Sequence, residues 1–330
     1  MFSRIYVEQT VKQLPRVAKL LAKYSALPQI DIENYAELFN AKQQNFKLQK
    51  QNPALIIAQK FGKKLLKTPE GFGVGGTENY YFSHMLNCLY DCRYCFLQGM
   101  YNSANYLWFA NYEDFFAELR ALNQEAQPNS YVFTGYDCDS LALEQITNFF
   151  SEYQQIFAEC QQLNFELRTK SVALNSLRKT KPLNNLLIAY SLTPDLIAKE
   201  IEHGAAPVKS RIKALSELSE AGWQIGLRFD PLIYHRDYQL LYQELFQEIF
   251  SKINLKNLHS VSIGPLRFPK KMHEKIFKLY KREALLSNKL EQRDNLVAYS
   301  KELEQEMQQF VLKELAAYIA AEKVFYCHNL

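Results

Sequence analysis

Short apolar runs alternate with segments of helical spacing through the middle of the chain. Strands that alternate with helices in this way form right-handed βαβ units and a parallel sheet. The predicted strands are residues 80–86, 130–135, 165–170, 185–192, 223–233 and 258–266. These six units predict an α/β fold, a partial (β/α)6 TIM-like barrel with parallel strands. In that architecture the chemistry lies at the carboxyl ends of the strands.

The pattern changes on either side of the predicted barrel. Residues 1–78 are polar and of helical spacing and end in a glycine-rich loop, so we predict an N-terminal helical extension. Residues 79–268 form the barrel domain. Residues 269–330 are predicted to add a basic helix, a charged helix over 283–320 and a closing strand at 323–330.

The composition is that of a folded protein of a reducing compartment. Hydrophobic residues make up 48% of the 330 residues, and the net charge of +4 permits a polyanion partner without requiring one. The chain start lacks the apolar region of a signal peptide, and no apolar run approaches the roughly 18 residues of a membrane span. We therefore expect a soluble, cytoplasmic protein with no membrane partner. Six cysteines are too few for a disulfide scaffold, so a tight group of them favours a metal or catalytic role.

Three cysteines lie close together after the first predicted strand. The segment NCLYDCRYCF at 87–96 places Cys88, Cys92 and Cys95 in a C-x3-C-x2-C spacing. A four-iron cluster held by three thiolates keeps one iron open for another ligand, and this spacing is compact enough to hold three corners of a cube. Structural zinc and unligated thiols are the alternatives, and zinc would need a fourth ligand. The candidates for that ligand are His84, Cys138, Cys160, Cys327 and His328.

This cysteine spacing, with the aromatic Tyr94 before the third cysteine, resembles the signature of radical S-adenosylmethionine enzymes. The resemblance extends to the spore photoproduct lyase-like family over nearly all the chain, most specifically over residues 80–235. The segments that carry it are CRYCFLQ at 92–98, FELRTKS at 165–171 and YSLTPDLIAKEIEHGAAPVKSRIKALSELSEAGWQIGLRFDPLI at 190–233.

The resemblance implies a reaction and its cofactors. A [4Fe-4S] cluster would bind S-adenosylmethionine at its open iron, and one electron from a donor such as flavodoxin or ferredoxin would cleave it to a 5′-deoxyadenosyl radical. In this family the radical abstracts hydrogen from a thymine dimer in DNA, the bond between the bases breaks, and a hydrogen is returned. The implied enzyme is therefore a DNA-repair lyase.

The resemblance also implies roles for single residues. Lys170 matches a lysine that contacts S-adenosylmethionine, Ser191 a serine that hydrogen-bonds it, and Tyr94 an aromatic ring near the cluster and the adenosyl group. Cys138 and Asp139 lie where the family has Ser-Asp beside the methionine moiety. The residues alone leave other readings open, namely a solvated strand end for Lys170, strand capping for Ser191 and a helix N-cap for Asp139.

The chain departs from the family at the hydrogen relay. Tyr136 stands where the family has the cysteine that returns hydrogen, and Phe96 replaces the tyrosine after the third cluster cysteine. Either Cys138 has taken over, or Tyr136 serves, or the substrate chemistry differs. We therefore take Cys138, Tyr136 and Tyr94 as candidate catalytic residues, with a small buried residue as the alternative for Cys138.

A basic segment with interleaved aromatic residues follows the sixth predicted strand. It is RFPKKMHEKIFKLYKRE at 267–283, and it suits a surface that follows phosphates, with a solvated amphipathic helix as the alternative. The candidate DNA contacts are Lys270, Lys271, Lys275 and Lys278. Two other functions stay open: a radical enzyme acting on a modified nucleoside, RNA or a peptide, and a non-catalytic cluster- or zinc-containing nucleic-acid-binding protein.

Overall fold

In the computed structural model, which describes residues 2–287 and 289–327, short strands alternate with helices along nearly the whole chain. The strands in these residues are β1 (Ile5–Glu8), β2 (Gln29–Ile32), β3 (Leu55–Ala58), β4 (Leu65–Lys67), β5 (Asn79–Phe82), β6 (Met85–Leu86), β7 (Asp91–Cys92), β8 (Tyr106–Phe109), β9 (Ser130–Thr134), β10 (Leu163–Thr169), β11 (Leu186–Ser191), β12 (Glu202–His203), β13 (Gln224–Leu232), β14 (Leu258–Pro265), β15 (Arg267–Pro269), β16 (Leu290–Arg293), β17 (Leu296–Tyr299) and β18 (Val324–Tyr326). The α-helices are α1 (Gln9–Lys12), α2 (Pro15–Lys23), α3 (Ala36–Phe39), α4 (Phe46–Gln51), α5 (Leu97–Met100), α6 (Tyr112–Glu125), α7 (Glu144–Thr147), α8 (Phe149–Glu159), α9 (Asn175–Arg178), α10 (Asp195–Ile201), α11 (Val208–Glu220), α12 (Tyr238–Phe250), α13 (Lys270–Leu279) and α14 (Lys301–Leu315).

The main sheet is curled and has eight strands in the order β18-β14-β13-β11-β10-β9-β5-β4. All neighbours in it are parallel except β4 and β5. Every position of β9 and β11 is buried, as is typical of parallel strands covered on both faces. The predicted α/β partial barrel is therefore confirmed, and β18 extends it beyond the six predicted strands.

The first predicted strand, 80–86, is divided between two sheets. Its first half is β5 in the main sheet, and its second half is β6 in a five-stranded sheet of order β2-β1-β3-β8-β6. The chain turns away at Ser83 and His84, both of which are buried. The cysteine loop thus leaves the barrel at the carboxyl end of β5, where the parallel strands end.

The N-terminal extension contains the predicted helices, α1 to α4, but residues 1–78 also contain four strands that were not predicted. The apolar runs IYVE of β1 and LIIA of β3 are four residues long, and so short a run does not distinguish a strand from a helix by its spacing. The strand β8, which lies beyond residue 78, pairs with β3. The division into domains at residues 1–78, 79–268 and 269–330 stays a prediction.

The C-terminal part is confirmed at α13 and β18 and wrong between them. The charged helix predicted over 283–320 begins only at Lys301, and its first half holds a hairpin of β16 and β17 that pairs with β15. The hairpin turns at Asp294, whose φ of 50° is a left-handed conformation that aspartate tolerates. The predicted closing strand is described from Val324 to Tyr326, while residues 328–330 lie outside the described part.

The glycine-rich loop closes the open side of the curled sheet. Val74 of this loop packs with Tyr131 and Phe133 of β9, and Phe325 of β18 joins them from the other edge. Gly75 has a φ of 89°, and a Cβ there would lie 2.7 Å from the Phe325 ring, so only glycine fits. Among the described helices, none combines the length and the apolar character that crossing a bilayer requires.

Candidate active site

The carboxyl ends of the parallel strands surround a cavity of about 340 Å³. Side chains from β9, β10, β11, β13 and β14 line it, together with the cysteine loop (residues 87–96) and the glycine-rich loop. Cys88, Cys92 and Cys95 all lie in its wall. The structure therefore brings the three predicted metal ligands to one surface.

A two-stranded ribbon holds the cysteine loop in place. Within it β7 pairs antiparallel with β12, so that Cys92 lies opposite Glu202. The backbone N–H of Arg93 donates to the Ile201 carbonyl at 2.8 Å, and that of Cys95 donates back to the Cys92 carbonyl at 3.1 Å. The turn between the second and third cysteines is thus fixed by backbone hydrogen bonds.

The outer side of the cysteine loop contacts one residue of α4 and one residue that directly follows α13. Lys50 of α4 contacts Asp91 and donates to Gln98 Oε1 at 2.5 Å and to the Tyr280 hydroxyl at 3.3 Å. The Arg93 guanidinium lies 3.9 Å above the Tyr280 ring. Contacts from α4 and from the end of α13 therefore hold the cysteine loop in position on the side that faces away from the cavity.

The three thiols are protonated in the absence of a cation. Burial raises the pKa of Cys92 to about 12, and burial likewise raises the pKa of Cys88 and of Cys95. The neighbouring thiols and Asp139 add to the effect at Cys88. A positively charged group must therefore displace protons to bind here. The loop offers three sulfur donors, the ligand type that iron–sulfur groups take. Among residues 2–287 and 289–327, no group of three His, Cys, Asp or Glu is placed to hold a metal ion.

The candidate fourth ligands for zinc lie in different places. Cys138 and Cys327 line the cavity. Cys160 is buried at the end of α8. His84 stacks on Phe149 with ring centroids 3.8 Å apart, and burial lowers its pKa to about 3. His328 lies outside the described residues.

Asp139 is held rigidly at the cavity wall by four donors. Its Oδ1 accepts from Thr169 Oγ1 at 2.7 Å and from the N–H groups of Leu141 and Ala142 at 3.0 and 2.9 Å. Its Oδ2 accepts from the Lys170 N–H at 2.6 Å. Burial raises the pKa of Asp139, although these donors oppose the change. The carboxylate thus joins the end of β9 to the end of β10.

Lys170 extends over the Tyr94 ring, with Nζ 5.5 Å from the ring centroid. Burial alone would lower its pKa, but Cys92 and Glu202 outweigh burial and raise it. The Tyr94 hydroxyl donates to Glu202, which pairs with Arg211 at 2.5 Å between two buried side chains. A permanent positive charge therefore faces the cavity beside the cysteines.

The Glu202–Arg211 pair was not predicted as part of the site. Arg211 Nη1 donates to the Ser191 carbonyl at 3.2 Å, and Nε donates to the Ala206 carbonyl at 2.7 Å. The Ser191 hydroxyl lines the cavity and has no hydrogen-bond partner in the described part of the chain. In the sequence, the available signal for the Glu202–Arg211 ion pair was the dipeptide Glu-His directly after an amphipathic helix. Such a dipeptide is a weak signal for a functional site.

The residues of the altered relay lie beside an aromatic cluster. The Tyr136 ring centroid is 4.4 Å from that of Tyr81, 5.8 Å from that of Phe96 and 6.2 Å from that of Phe72. We call these four residues the aromatic cluster. Burial raises the pKa of the neighbouring Cys138 far above its ordinary value, so its thiol is neutral.

Charged side chains on β10 and β13 form a network at the cavity, and none of them was predicted. Arg168 and Asp230 line the cavity, while Glu166 and Arg228 are buried beside them. Glu166 is fully buried and accepts from Arg228 at 2.7 and 3.2 Å and from Arg168 at 3.0 Å. Arg168 also lies 3.8 Å from Asp230. Charges at alternate positions of otherwise apolar strands, E-L-R at 166–168 and R-F-D at 228–230, were the available signal.

The predicted basic helix forms and lies close to the site. In α13 the buried Ile276 packs against Gly99 of α5, directly after the cysteine loop. Lys271, Lys275 and Lys278 are exposed, and Lys270 is half-buried. Contact of these lysines with DNA stays a prediction.

Comparison with known proteins identifies relatives of the chain. A family model described as "Spore photoproduct lyase" matches residues 73–327. Two curated relatives, the spore photoproduct lyases of Bacillus subtilis (strain 168) and Geobacillus sp. (strain Y412MC61), are 22% and 20% identical over 157 and 154 residues. Each alignment covers 46% of this chain and 45% of the relative, so the sequence match spans about half the length of either.

Two solved structures have the same fold. A spore photoproduct lyase variant with bound AdoMet and dinucleoside spore photoproduct superposes with a TM-score of 0.85 at 16% identity, covering 100% of this chain and 99% of that one. A spore photoproduct lyase complexed with dinucleoside spore photoproduct gives 0.85 at 16% identity, covering 99% and 98%. The shared fold extends over the N-terminal strands and the C-terminal hairpin as well as the barrel.

Proposed function

The chain belongs to the spore photoproduct lyase family, and we propose that it is a radical S-adenosylmethionine lyase that repairs a thymine dimer in DNA. The observation that carries the proposal is the family match over 73–327, which includes all three cysteines of the loop and most of the residues that line the cavity. The solved relatives with bound AdoMet and dinucleoside spore photoproduct support the same cofactor and substrate here.

The cofactor end of the cavity is the wall formed by the cysteine loop. We propose that Cys88, Cys92 and Cys95 hold a [4Fe-4S] cluster, and that S-adenosylmethionine lies between it and the ends of β10 and β11. When bound, this pair supplies a 5′-deoxyadenosyl radical, with an electron from a low-potential donor such as flavodoxin or ferredoxin.

The residues around this wall orient the cofactor and shield it from water. The Lys170 ammonium neutralises a carboxylate, and the unpartnered Ser191 hydroxyl donates to an oxygen of the cofactor. The Tyr94 ring, held by Glu202, presents a flat surface to the adenosyl group. Asp139, fixed by four donors, keeps the ends of β9 and β10 at a constant separation.

The substrate end of the cavity adjoins the aromatic cluster. Flat rings such as Tyr136 and Phe96 suit the stacking of bases that have left the duplex. Cys138 and Tyr136, at the end of β9, are candidates for the hydrogen return that the family requires. The exposed lysines of α13 are the proposed phosphate contacts.

Turnover of a defined lesion tests the proposal. The anaerobically reconstituted protein, reduced with dithionite, is incubated with S-adenosylmethionine and a dinucleotide spore photoproduct. We expect 5′-deoxyadenosine and repaired thymine to form together. Formation of 5′-deoxyadenosine without thymine would favour the second candidate function, a radical enzyme for another substrate. That candidate is supported by Tyr136 and Phe96, which stand where the family has its hydrogen-relay residues. Zinc without iron would contradict both.

Replacement of Lys170 by methionine should weaken cofactor binding. Methionine keeps the length of the side chain but removes the charge that would pair with the cofactor carboxylate. A hydrogen bond to a charged group contributes about 1.5–3 kcal/mol, so we expect the Kd for S-adenosylmethionine to rise about 10- to 100-fold. Equilibrium dialysis with reconstituted protein measures this. The matched control is Lys179→Met at an exposed position, and equal Kd values for the two variants would contradict the role of Lys170.

The salt dependence of DNA binding tests the basic helix. We expect the triple variant Lys271→Ala, Lys275→Ala and Lys278→Ala to bind lesion-containing DNA with a slope of log Kd against log salt that is smaller by about one per lysine. Fluorescence anisotropy at several salt concentrations gives the slope. Replacing the exposed Lys19, Lys209 and Lys213 removes the same charge elsewhere and should leave the slope unchanged. Equal slopes for the two triple variants would indicate that the α13 lysines are only solvated.

A further inference from the structure

We propose that Cys327, oriented by Asp230, returns the hydrogen atom to the repaired base; this inference rests on the proposed lyase function. The thiol lies directly after β18, where it lines the same cavity as the cysteine loop. The sequence alone suggests Cys327 only as a candidate zinc ligand. Its place in the cavity wall suits the donation of a hydrogen atom instead.

Two thiols outside the loop, Cys138 and Cys327, line the cavity, and they approach it from well-separated strands of the main sheet. Cys138 follows β9 and Cys327 follows β18, and four strands, β10, β11, β13 and β14, lie between β9 and β18 in the sheet order. Both thiols reach one cavity because the sheet curls. Cys138 lies near Cys88 and Asp139. Cys327 lies beside Asp230, where β13, β14 and β18 end.

The position of the Cys327 thiol is defined by its neighbours. Its backbone N–H donates to the Ile263 carbonyl at 2.9 Å, and its carbonyl accepts from Arg267 Nη2 at 2.8 Å. The thiol donates to Asp230 Oδ2 at 3.2 Å, and the same oxygen accepts from Ser262 Oγ at 2.7 Å. Rotation about the Cβ–Sγ bond turns this S–H from Asp230 toward the cavity.

Gly264 of β14 allows this arrangement. A Cβ at Gly264 would lie 3.1 Å from both Asp230 Oδ1 and Cys327 Cβ, so a larger residue would push the thiol and the carboxylate apart. Asp230 Oδ1 is itself buried without a hydrogen-bond partner in the described residues. The thiol of Cys327 and the carboxylate of Asp230 therefore form a pair where β13, β14 and β18 end side by side. Packing of the barrel core does not by itself require such a pair.

The charged groups around the thiol keep it neutral, as a hydrogen-atom donor must be. Burial raises the pKa of Cys327 to about 12, and the negative charge of Asp230 adds to this, while Arg168 and Arg228 oppose it. In the described part of the chain the guanidinium of Arg267 also lies beside Cys327, where it donates to the Cys327 carbonyl. An S–H bond rather than a thiolate is therefore present at neutral pH.

The step balances as a hydrogen-atom transfer. After the bond between the bases breaks, one base carries a carbon radical; a C–H bond forms on it, the S–H bond of Cys327 breaks, and the unpaired electron moves to sulfur. The thiyl radical returns to the thiol by taking one electron from the low-potential carrier that also reduces the cluster and one proton from solvent.

Deuterium transfer from solvent identifies the donor. In D2O the exchangeable thiol carries deuterium, so wild-type enzyme should place it in a released thymine. We expect the label to fall to natural abundance in Cys327→Ser, whose O–H bond is too strong to donate a hydrogen atom. Loss of the label in Cys138→Ala but not in Cys327→Ser would assign the hydrogen return to Cys138 and overturn the role of Cys327. Cys160→Ala, buried away from the cavity, is the unchanged control. Cys327→Ala is the second variant, and thermal unfolding shows that each protein is folded.

A second measurement needs no cluster. In cluster-free protein, mass spectrometry follows the labelling of Cys327 by a small alkylating reagent, with Cys160 as the internal reference. We expect the dinucleotide spore photoproduct to slow labelling at Cys327, and undamaged dinucleotide not to do so. We also expect Asp230→Asn to shift the labelling profile to lower pH, because the neighbouring negative charge is gone.

The outcomes separate this inference from the proposed function. If wild-type enzyme forms 5′-deoxyadenosine but releases no thymine, both fail. If it releases deuterated thymine and the Cys327 variants do so equally, only the role of Cys327 fails. Labelling of Cys327 that the lesion does not change would also overturn it.

Discussion

A protein in which alanine replaces Cys92 is expected to lose both its iron and its cleavage of S-adenosylmethionine. Cys92 is the most deeply buried of the three loop cysteines, and the ribbon of β7 and β12 fixes its position opposite Glu202. Without its sulfur only two loop thiols remain, and a cluster that must keep one iron open cannot be held by two. Since the cofactor supplies the difficult step, activity should fall to the level of the protein without a cluster.

Iron content, the visible absorbance of the reconstituted protein and 5′-deoxyadenosine formation measure this loss. The control is Cys160→Ala, which removes a thiol that is equally buried but lies at the end of α8, away from the cavity. That variant should bind iron and cleave the cofactor as the wild type does. Full iron content in Cys92→Ala would mean that the cysteine loop is not the ligand set.

The largest expected effect on stability is that of Arg228→Met. Arg228 and Glu166 are both fully buried, and the substitution leaves the carboxylate with Arg168 as its remaining charged partner. Removing one member of a buried ion pair typically costs about 3–5 kcal/mol, and we expect a loss of about 3 kcal/mol in the free energy of unfolding. The control is Arg178→Met, whose partner Glu217 is exposed, with an expected loss below about 1 kcal/mol.

Urea denaturation at neutral pH gives both values, and equal losses for the two variants would contradict the prediction. The pH dependence is a further check. Despite burial, the two arginines lower the pKa of Glu166 to about 2, below its ordinary value of 4.5. The stability that Glu166 contributes is therefore fully present above pH 4.5 and is lost as the pH falls toward 2. The difference in stability between wild type and Arg228→Met should accordingly shrink in acid.

Local sequence predicted much of the barrel. The apolar runs of β9, β10, β11, β13 and β14 are long and bounded by helices, so their periodicity alone identified the parallel sheet. The apolar runs of β1 and β3 are too short for their periodicity to distinguish a strand from a helix. For these two runs the prediction of a helix was wrong. The hairpin of β16 and β17 was missed because its polar, alternating residues resemble a charged helix.

The residues that could carry the chemistry are evident from the chain alone, through the spacing of Cys88, Cys92 and Cys95 and the family resemblance at Lys170 and Ser191. The groups that surround these residues follow from the fold. Glu202 reaches the cysteine loop from β12, and Cys327 reaches the cavity from the far edge of the sheet. The reason is that contacts between residues distant in the chain depend on how the strands pair and curl, which local patterns of polarity do not specify.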